Sequence, residues 1–142
     1  MALTPNSVVS PQTPSRGLVR FVGTTDGTAT LKALYTAGTN GSKVLGIVGV
    51  NAGATAHNVT LMIVNGGTNY QGNVVNLGTQ AGNNGTVTPV ALMSASVWPG
   101  LPVDSNGNPY LELNSGDTLE AEYATAQATT ETISLYCVAQ DY

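Results

Sequence analysis

Charge is scarce in this chain. Asp, Glu, Lys and Arg make up 8% of its 142 residues, against about 25% in ordinary soluble domains. Thr, Asn, Ser, Gly and Ala stand where a free-standing protein carries Lys and Glu. Charge normally keeps monomers apart in solution, so this surface predicts extensive cover by other protein. A Thr/Asn-rich coat on a secreted β-protein is the other reading that composition allows. Cations are absent after residue 43: Arg16, Arg20, Lys32 and Lys43 are all there are. Seven of the eight acidic residues lie after residue 100, with Asp26 the exception. The first 43 residues carry 4 − 1 = +3 and the remainder 0 − 7 = −7, which gives the total of −4. Such segregation predicts pairing within the fold or complementarity between subunits. It argues against nucleic acid as a partner, which would demand a dense cationic face.

Cysteine, histidine and long apolar runs are equally sparse. Cys137 is the only cysteine, which excludes an internal disulfide and fits synthesis in a reducing compartment. No stretch approaches the ~18 consecutive apolar residues of a membrane helix, so no membrane partner is expected. The opening MALTPNSVVSPQTP has neither the charged start nor the apolar run of a signal peptide. One His and one Cys leave little for nucleophilic chemistry, which needs a nucleophile within hydrogen-bond reach of a base. Neither catalytic residues nor a cofactor are expected, and Cys137 reads as core filler. An enzyme would require a pocket where His57 meets a carboxylate.

What the chain does have is alternation. In residues 110–123, YLELNSGDTLEAEY, Leu111 and Leu113 alternate with polar neighbours. After the break Asn114-Ser115-Gly116-Asp117, Leu119, Ala121 and Tyr123 do the same. Period two on both sides of a Gly-containing break predicts a β-hairpin. Its dry face would carry the leucines and its wet face Glu112, Glu120 and Glu122. A hairpin with one dry face requires a second sheet to cover it.

Further strands are predicted over residues 18–22, 29–36, 44–51, 59–64, 70–77, 86–94 and 131–140. The run at 44–51, VLGIVGVN, is apolar on both faces and predicts a strand covered from two sides. Gly72 marks a bulge. Pro89 restricts 86–94 to an edge, with a short helix over 91–97 as the alternative, and residues 124–130 read as a turn. Before these, residues 1–17 hold Pro5, Pro11 and Pro14 among small polar residues and predict an extended arm. The arm is followed by a single domain over 18–142. The fold class is all-β: a jelly-roll-like sandwich of about eight short strands.

Three stretches invite a chemical reading. Residues 104–112 space oxygen side chains as a calcium loop does, but Pro109 and Ser115 stand where an EF-hand needs Gly and Glu; a solvated turn is the default and no metal is assigned. Glu112, Glu120 and Glu122 on one face could work as paired carboxylates across a cleft. An open face favours a solvated side, or the acidic half of a contact with Arg16, Arg20, Lys32 or Lys43 of a neighbour. Trp98-Pro-Gly-Leu101-Pro is either a plug over one end of the sandwich or an interface anchor, since Trp is enriched at hot spots.

The chain resembles small β-sandwich decoration, or cement, proteins of phage virions and related head or tail accessory subunits. The motifs are an LYT start at 34–36, a strand ending in Val50-Asn51, and LPVDSNGNPYLELNSGDTLEAEY at 101–123 with its SGDTL turn. The resemblance implies a structural role on the capsid surface after synthesis in the host cytoplasm. It implies the major capsid protein as partner, homo-oligomers with trimers favoured over dimers, and arms reaching between subunits. Candidate interface residues are then Pro5, Pro11, Pro14, Arg16, Arg20, Trp98, Leu101, Glu112, Glu120 and Glu122. Tail or fibre modules that bind a carbohydrate or host receptor share such sandwiches. That alternative would want Trp98 with Tyr70 or Tyr110 along a groove.

Overall fold

Alternating apolar residues build nine strands and, among the described residues, no helix. The computed structural model describes residues 13–124, 128 and 130–142. The strands are β1 (Thr13–Val22), β2 (Lys32–Thr36), β3 (Ser42–Asn51), β4 (His57–Asn65), β5 (Thr68–Leu77), β6 (Val90–Ala91), β7 (Leu111–Leu113), β8 (Thr118–Tyr123) and β9 (Thr132–Asp141). One sheet, here sheet A, runs β1-β9-β3, and the short β6 and β7 both pair with β3. Sheet B runs β2-β8-β4-β5. Every pairing is antiparallel.

The connectivity is that of one long antiparallel ribbon folded over on itself. β1 pairs with β9, β2 with β8, β3 with β6 and β7, and β4 with β5. Successive strands change sheets except at the β4–β5 hairpin and between β6 and β7, which both belong to sheet A. That is jelly-roll order, with β6 and β7 together taking the place of one strand. The hairpin closes at Gly66 and Gly67, with φ of 56° and 80°. Two successive positive φ values define the turn whose twist matches its strands, and glycine enters them without steric cost.

Inward residues of both sheets form one core. Phe21, Val44, Ile47, Ile133, Leu135, Cys137 and Ala139 come from sheet A. Leu34, Tyr35, Val59, Leu61, Leu119, Ala121 and Tyr123 come from sheet B. The alternation predicted for β9 is realised: Ile133, Leu135, Cys137 and Ala139 are all buried. Phe21 and Tyr123 meet edge to face across the two sheets, with ring centroids 5.2 Å apart.

The predicted hairpin over 110–123 is not one. β7 joins sheet A through β3, and β8 joins sheet B through β2 and β4. Asn114 to Asp117 therefore carry the chain from one sheet to the other. Leu111 and Leu113 still point inward, as do Leu119, Ala121 and Tyr123, but from opposite walls of the core. A period of two specifies which face is dry; it does not specify which strand is the neighbour. Glu112 consequently faces outward from sheet A and Glu120 and Glu122 from sheet B, so the three carboxylates do not share a face.

Other differences have local causes. Residues 13–17, placed in the arm by their prolines and polar neighbours, are the first half of β1 and pair with β9 from Thr13 onward. Pro14 is tolerated there because β1 is an edge strand. Pro5 and Pro11 lie outside the described residues, as does most of the predicted turn at 124–130. In β2 a register shift between Ala33 and Tyr35 puts both Leu34 and Tyr35 inward, while Leu31 and Ala33 are exposed. Gly72 is the extra residue of a bulge, since Leu61 pairs with Asn73 and Met62 with Gln71. Only Val90 and Ala91 of the 86–94 run pair, and 92–98 are turns rather than a helix. The apolar run of β3 is buried on the core side and partly covered on the other: Gly46, Val48 and Val50 face out and are half-buried, with Val50 beside Gly82.

Where β1 crosses β2 the sheets close tightly. A Cβ placed on Gly17 would lie 1.8 Å from the Leu34 carbonyl oxygen, whereas one on Gly46 would meet nothing within 4 Å. Overpacking a close-packed site costs about 1–3 kcal/mol. Gly17→Ala is therefore expected to lose about 3 kcal/mol or more in urea unfolding, with Gly46→Ala within about 0.5 kcal/mol of wild type. Equal effects at the two positions would contradict this packing.

Candidate functional site

Three polar clusters tie the fold together. The largest is centred on Glu131, just before β9. Its carboxylate accepts the backbone N–H groups of Ala54 (2.8 Å), Thr55 (3.2 Å) and Ala128 (3.0 Å), together with the Thr55 hydroxyl (3.1 Å). His57 Nε2 is 3.1 Å away. The Ala128 N–H, and with it the donors from His57, Thr55 and Ala54, outweighs burial and pulls the Glu131 carboxyl down to about 2. The loop before β4 is thereby pinned to the loop before β9.

His57 does meet a carboxylate, as an enzymatic reading requires, and the pair is buried. The ring is 0% exposed, and among the described residues Nδ1 has no hydrogen-bond partner. The Thr55 hydroxyl and Glu131 both contact Nε2. A relay of the serine-hydrolase kind needs the hydroxyl and the carboxylate on different ring nitrogens. Here the two share one nitrogen, and the trio ties loop ends together.

The second cluster joins Tyr35 of β2 to Ser42 of β3 and Asp141 of β9. Asp141 accepts the Ser42 hydroxyl at 2.5 Å and also the Tyr35 hydroxyl. Ser42 in turn accepts the Gly38 N–H at 2.9 Å. The Ser42 and Tyr35 bonds hold the Asp141 carboxyl below its usual range, and burial raises the Tyr35 phenol. The third cluster is Asp26, which pairs with Lys32 at 2.8 Å and accepts the Val22 N–H at 2.7 Å. Burial also pushes the Cys137 thiol up to about 11, out of the reactive range.

The remaining sequence candidates are distributed as follows. Asp104 spends its carboxylate on its own loop, accepting the N–H groups of Asn106 and Asn108 at 2.8 and 2.9 Å. Among the described residues no three His, Cys, Asp or Glu side chains cluster as metal ligands. Trp98 and Leu101 are half-buried and pack against the core. The indole lies on Gly72, where an added Cβ would come within 2.5 Å of the ring. The ring thus packs against the middle of β5, the edge strand of sheet B. Tyr110 lies beneath the Lys43 ammonium, 3.8 Å from its ring centroid. A groove of about 470 Å³ along β3 is lined by Leu45, Val48, Met93, Asp104 and Tyr110, and neither Trp98 nor Tyr70 reaches it.

The outer faces of the sheets are the broadest surfaces. Sheet B presents Glu120 and Glu122, half-buried, among Thr and Asn. Sheet A presents Arg16 and Arg20, both exposed, with Leu18 (65% exposed), Val138 (51%) and Tyr136 (41%) between and beside them. Sequence reasoning named the arginines but missed Leu18, Tyr136 and Val138. Their outward parity along β1 and β9 was the signal available.

No family model and no curated protein matches the chain. A search of solved structures finds a chain described as "Cyanophage Pam1 capsid asymmetric unit", with 14% sequence identity and a TM-score of 0.49. The alignment covers 100% of this chain and 94% of that one.

Because Glu131 is held below its ordinary value of 4.5, its contribution to stability is complete above that pH and fades as pH falls toward about 2. Asp141 and Asp26 act in the same sense. Glu131→Gln is expected to lose about 2 kcal/mol or more at neutral pH, the scale of hydrogen bonds to a charged group. It should also flatten the acid limb of stability between pH 4.5 and 2. Urea midpoints across that range are the measurement; an unchanged acid limb would refute the assignment.

Proposed function

We propose that the chain is a non-enzymatic virion structural protein that binds the assembled phage capsid and stabilises it as a decoration, or cement, protein. Its partners are the major capsid protein and copies of itself, and its place is the capsid surface. One observation carries this reading: the two broad outer sheet faces hold very few charges, and one of them groups Leu18, Tyr136 and Val138 in the open. Exposed apolar groups gathered in one place mark sites of protein contact. The sequence resemblance to decoration proteins supports the same reading.

Mechanically, such a subunit works by burying surface across the junctions between capsomers. A specific contact covers about 1,600 Å², and repetition around a shell adds avidity with no new chemistry. A jelly roll suits the task because its core is closed and its outer faces are free to differ. Sheet A begins at Thr13, and residues 1–12 are assigned to bridging a neighbouring subunit.

The test is sedimentation of purified, undecorated shells with added protein. The full chain is expected to co-sediment and to raise the temperature at which shells open. Deleting residues 1–12 should leave the unfolding midpoint of the free protein unchanged and weaken shell binding at least about tenfold. Full-length protein that leaves shells bare would refute the function; a truncated chain that decorates equally well would refute the role of the arm.

A further inference from the structure

Four Asn-Gly pairs punctuate the chain, at 40–41, 65–66, 84–85 and 106–107. Glycine carries no Cβ, so its backbone nitrogen is the one that an asparagine amide approaches most easily. Attack of that nitrogen on the asparagine Cγ closes a succinimide. The reaction needs a glycine nitrogen free to lose its proton and an amide carbon polarised to receive it. The fold treats the four pairs differently on both counts.

Two pairs are held back at the nucleophile. The Gly41 N–H donates to the Gly38 carbonyl at 2.9 Å, and the Gly107 N–H to the Asp104 carbonyl at 3.0 Å; each bond must be given up before attack. At the third pair, Asn65 donates its Nδ2 to the buried Asp117 carboxylate at 2.5 Å. An anion beside the amide opposes the negative charge that attack builds there. Asn84 differs in both respects. Among the described residues nothing accepts the Gly85 N–H. Asn84 Oδ1 accepts two backbone N–H groups, from Thr86 at 2.9 Å and Val87 at 3.0 Å. These bonds fold the side chain over its own following peptide. The pair is exposed to water, and nothing lies within 4 Å of a Cβ added at Gly85.

We propose that Asn84-Gly85, in the loop between β5 and β6, is a self-modifying site at which the chain deamidates itself through a succinimide. The Thr86 and Val87 N–H groups serve as its oxyanion hole. Donors about 2.7–3.1 Å from a developing oxyanion stabilise it, and bonds to an ionised acceptor are roughly twice as strong as neutral ones. The Gly85 nitrogen bonds to Cγ, and the C=O electron pair shifts onto Oδ1. As that pair returns, the Cγ–Nδ2 bond breaks, and Nδ2 leaves as ammonia with the proton that Gly85 gave up. Water then opens the ring at either carbonyl and leaves aspartate or isoaspartate. Both products add a negative charge to a surface that has few. Isoaspartate also adds a backbone carbon inside the loop that the Gly82 N–H closes on the Val87 carbonyl at 2.8 Å. None of this rests on the capsid reading, since every participant belongs to one chain.

Peptic mapping by mass spectrometry of the full chain provides the test, after ageing in warm, mildly alkaline buffer with and without urea. In the folded chain Asn84 is expected to convert at least about tenfold faster than Asn40, Asn65 or Asn106. In urea the four should fall within about threefold of one another, so folding speeds Asn84 and slows the rest. Thr86→Pro removes one donor and leaves Asn84-Gly85 in place. It should cut the folded rate about tenfold, less than in a dry active site because the loop is exposed. Each variant is referred to its own rate in urea. Asn84 no faster folded than unfolded, another Asn-Gly pair converting first in the folded chain, or Thr86→Pro matching wild type would overturn the inference. Aspartate formed without isoaspartate would overturn it in favour of direct hydrolysis. If Thr86→Pro folds poorly, the folded-to-urea ratio of wild type decides alone.

Discussion

Each sheet of this molecule is dry on one side only, and neither can exist in water unless the other covers it. That mutual cover holds everything else in place. The fourteen core side chains named above come from six strands, mostly at alternate positions, and among the described residues they interdigitate without a helix to help. Burial of this kind is the dominant favourable term in folding. It also dictates why the chain changes sheets at nearly every connection: a strand that stayed in its sheet would leave the opposite wall short of leucines.

Within that frame the buried polar groups act as locators. Apolar layers slide easily; hydrogen bonds to a carboxylate do not. Glu131 fixes the loop before β4 against the loop before β9, Asp141 fixes β2 against β3 and β9, and Asp26 holds the end of β1 to Lys32 at the start of β2. Glu131 and Asp141 gather donors from segments distant in sequence, whereas Asp26 draws on Val22 and Lys32 close by. Each also spends its charge internally, which removes three carboxylates from an already thin ionic surface.

The charges that remain differ between the faces, although sheet A carries Glu112 as well as its cations. Arg16 and Arg20 look out from sheet A, and Glu120 and Glu122 from sheet B. A sandwich with unlike faces suits a life among neighbours better than a life in dilute solution, because weakly charged faces lose little by being covered.

Much of this was legible in the sequence. The parity of Ile133, Leu135, Cys137 and Ala139 dictated which side of β9 is buried, since side chains alternate strictly along a strand. The Gly66-Gly67 turn and the Gly72 bulge were local matters of backbone conformation and were readable as such. The scarcity of charge and its division between the two ends of the chain were fixed by composition. What only the tertiary structure decided was partnership. Leu111 to Tyr123 carries the same alternation whether it folds back as a hairpin or crosses between sheets, because the pattern encodes a face and not a neighbour. The crossing is selected by the need to furnish both walls of one core. For the same reason Glu112 is parted from Glu120 and Glu122, His57 meets Glu131 from 74 residues away, and Leu18, Tyr136 and Val138 become one surface: contacts between distant segments depend on strand order, which no local period contains.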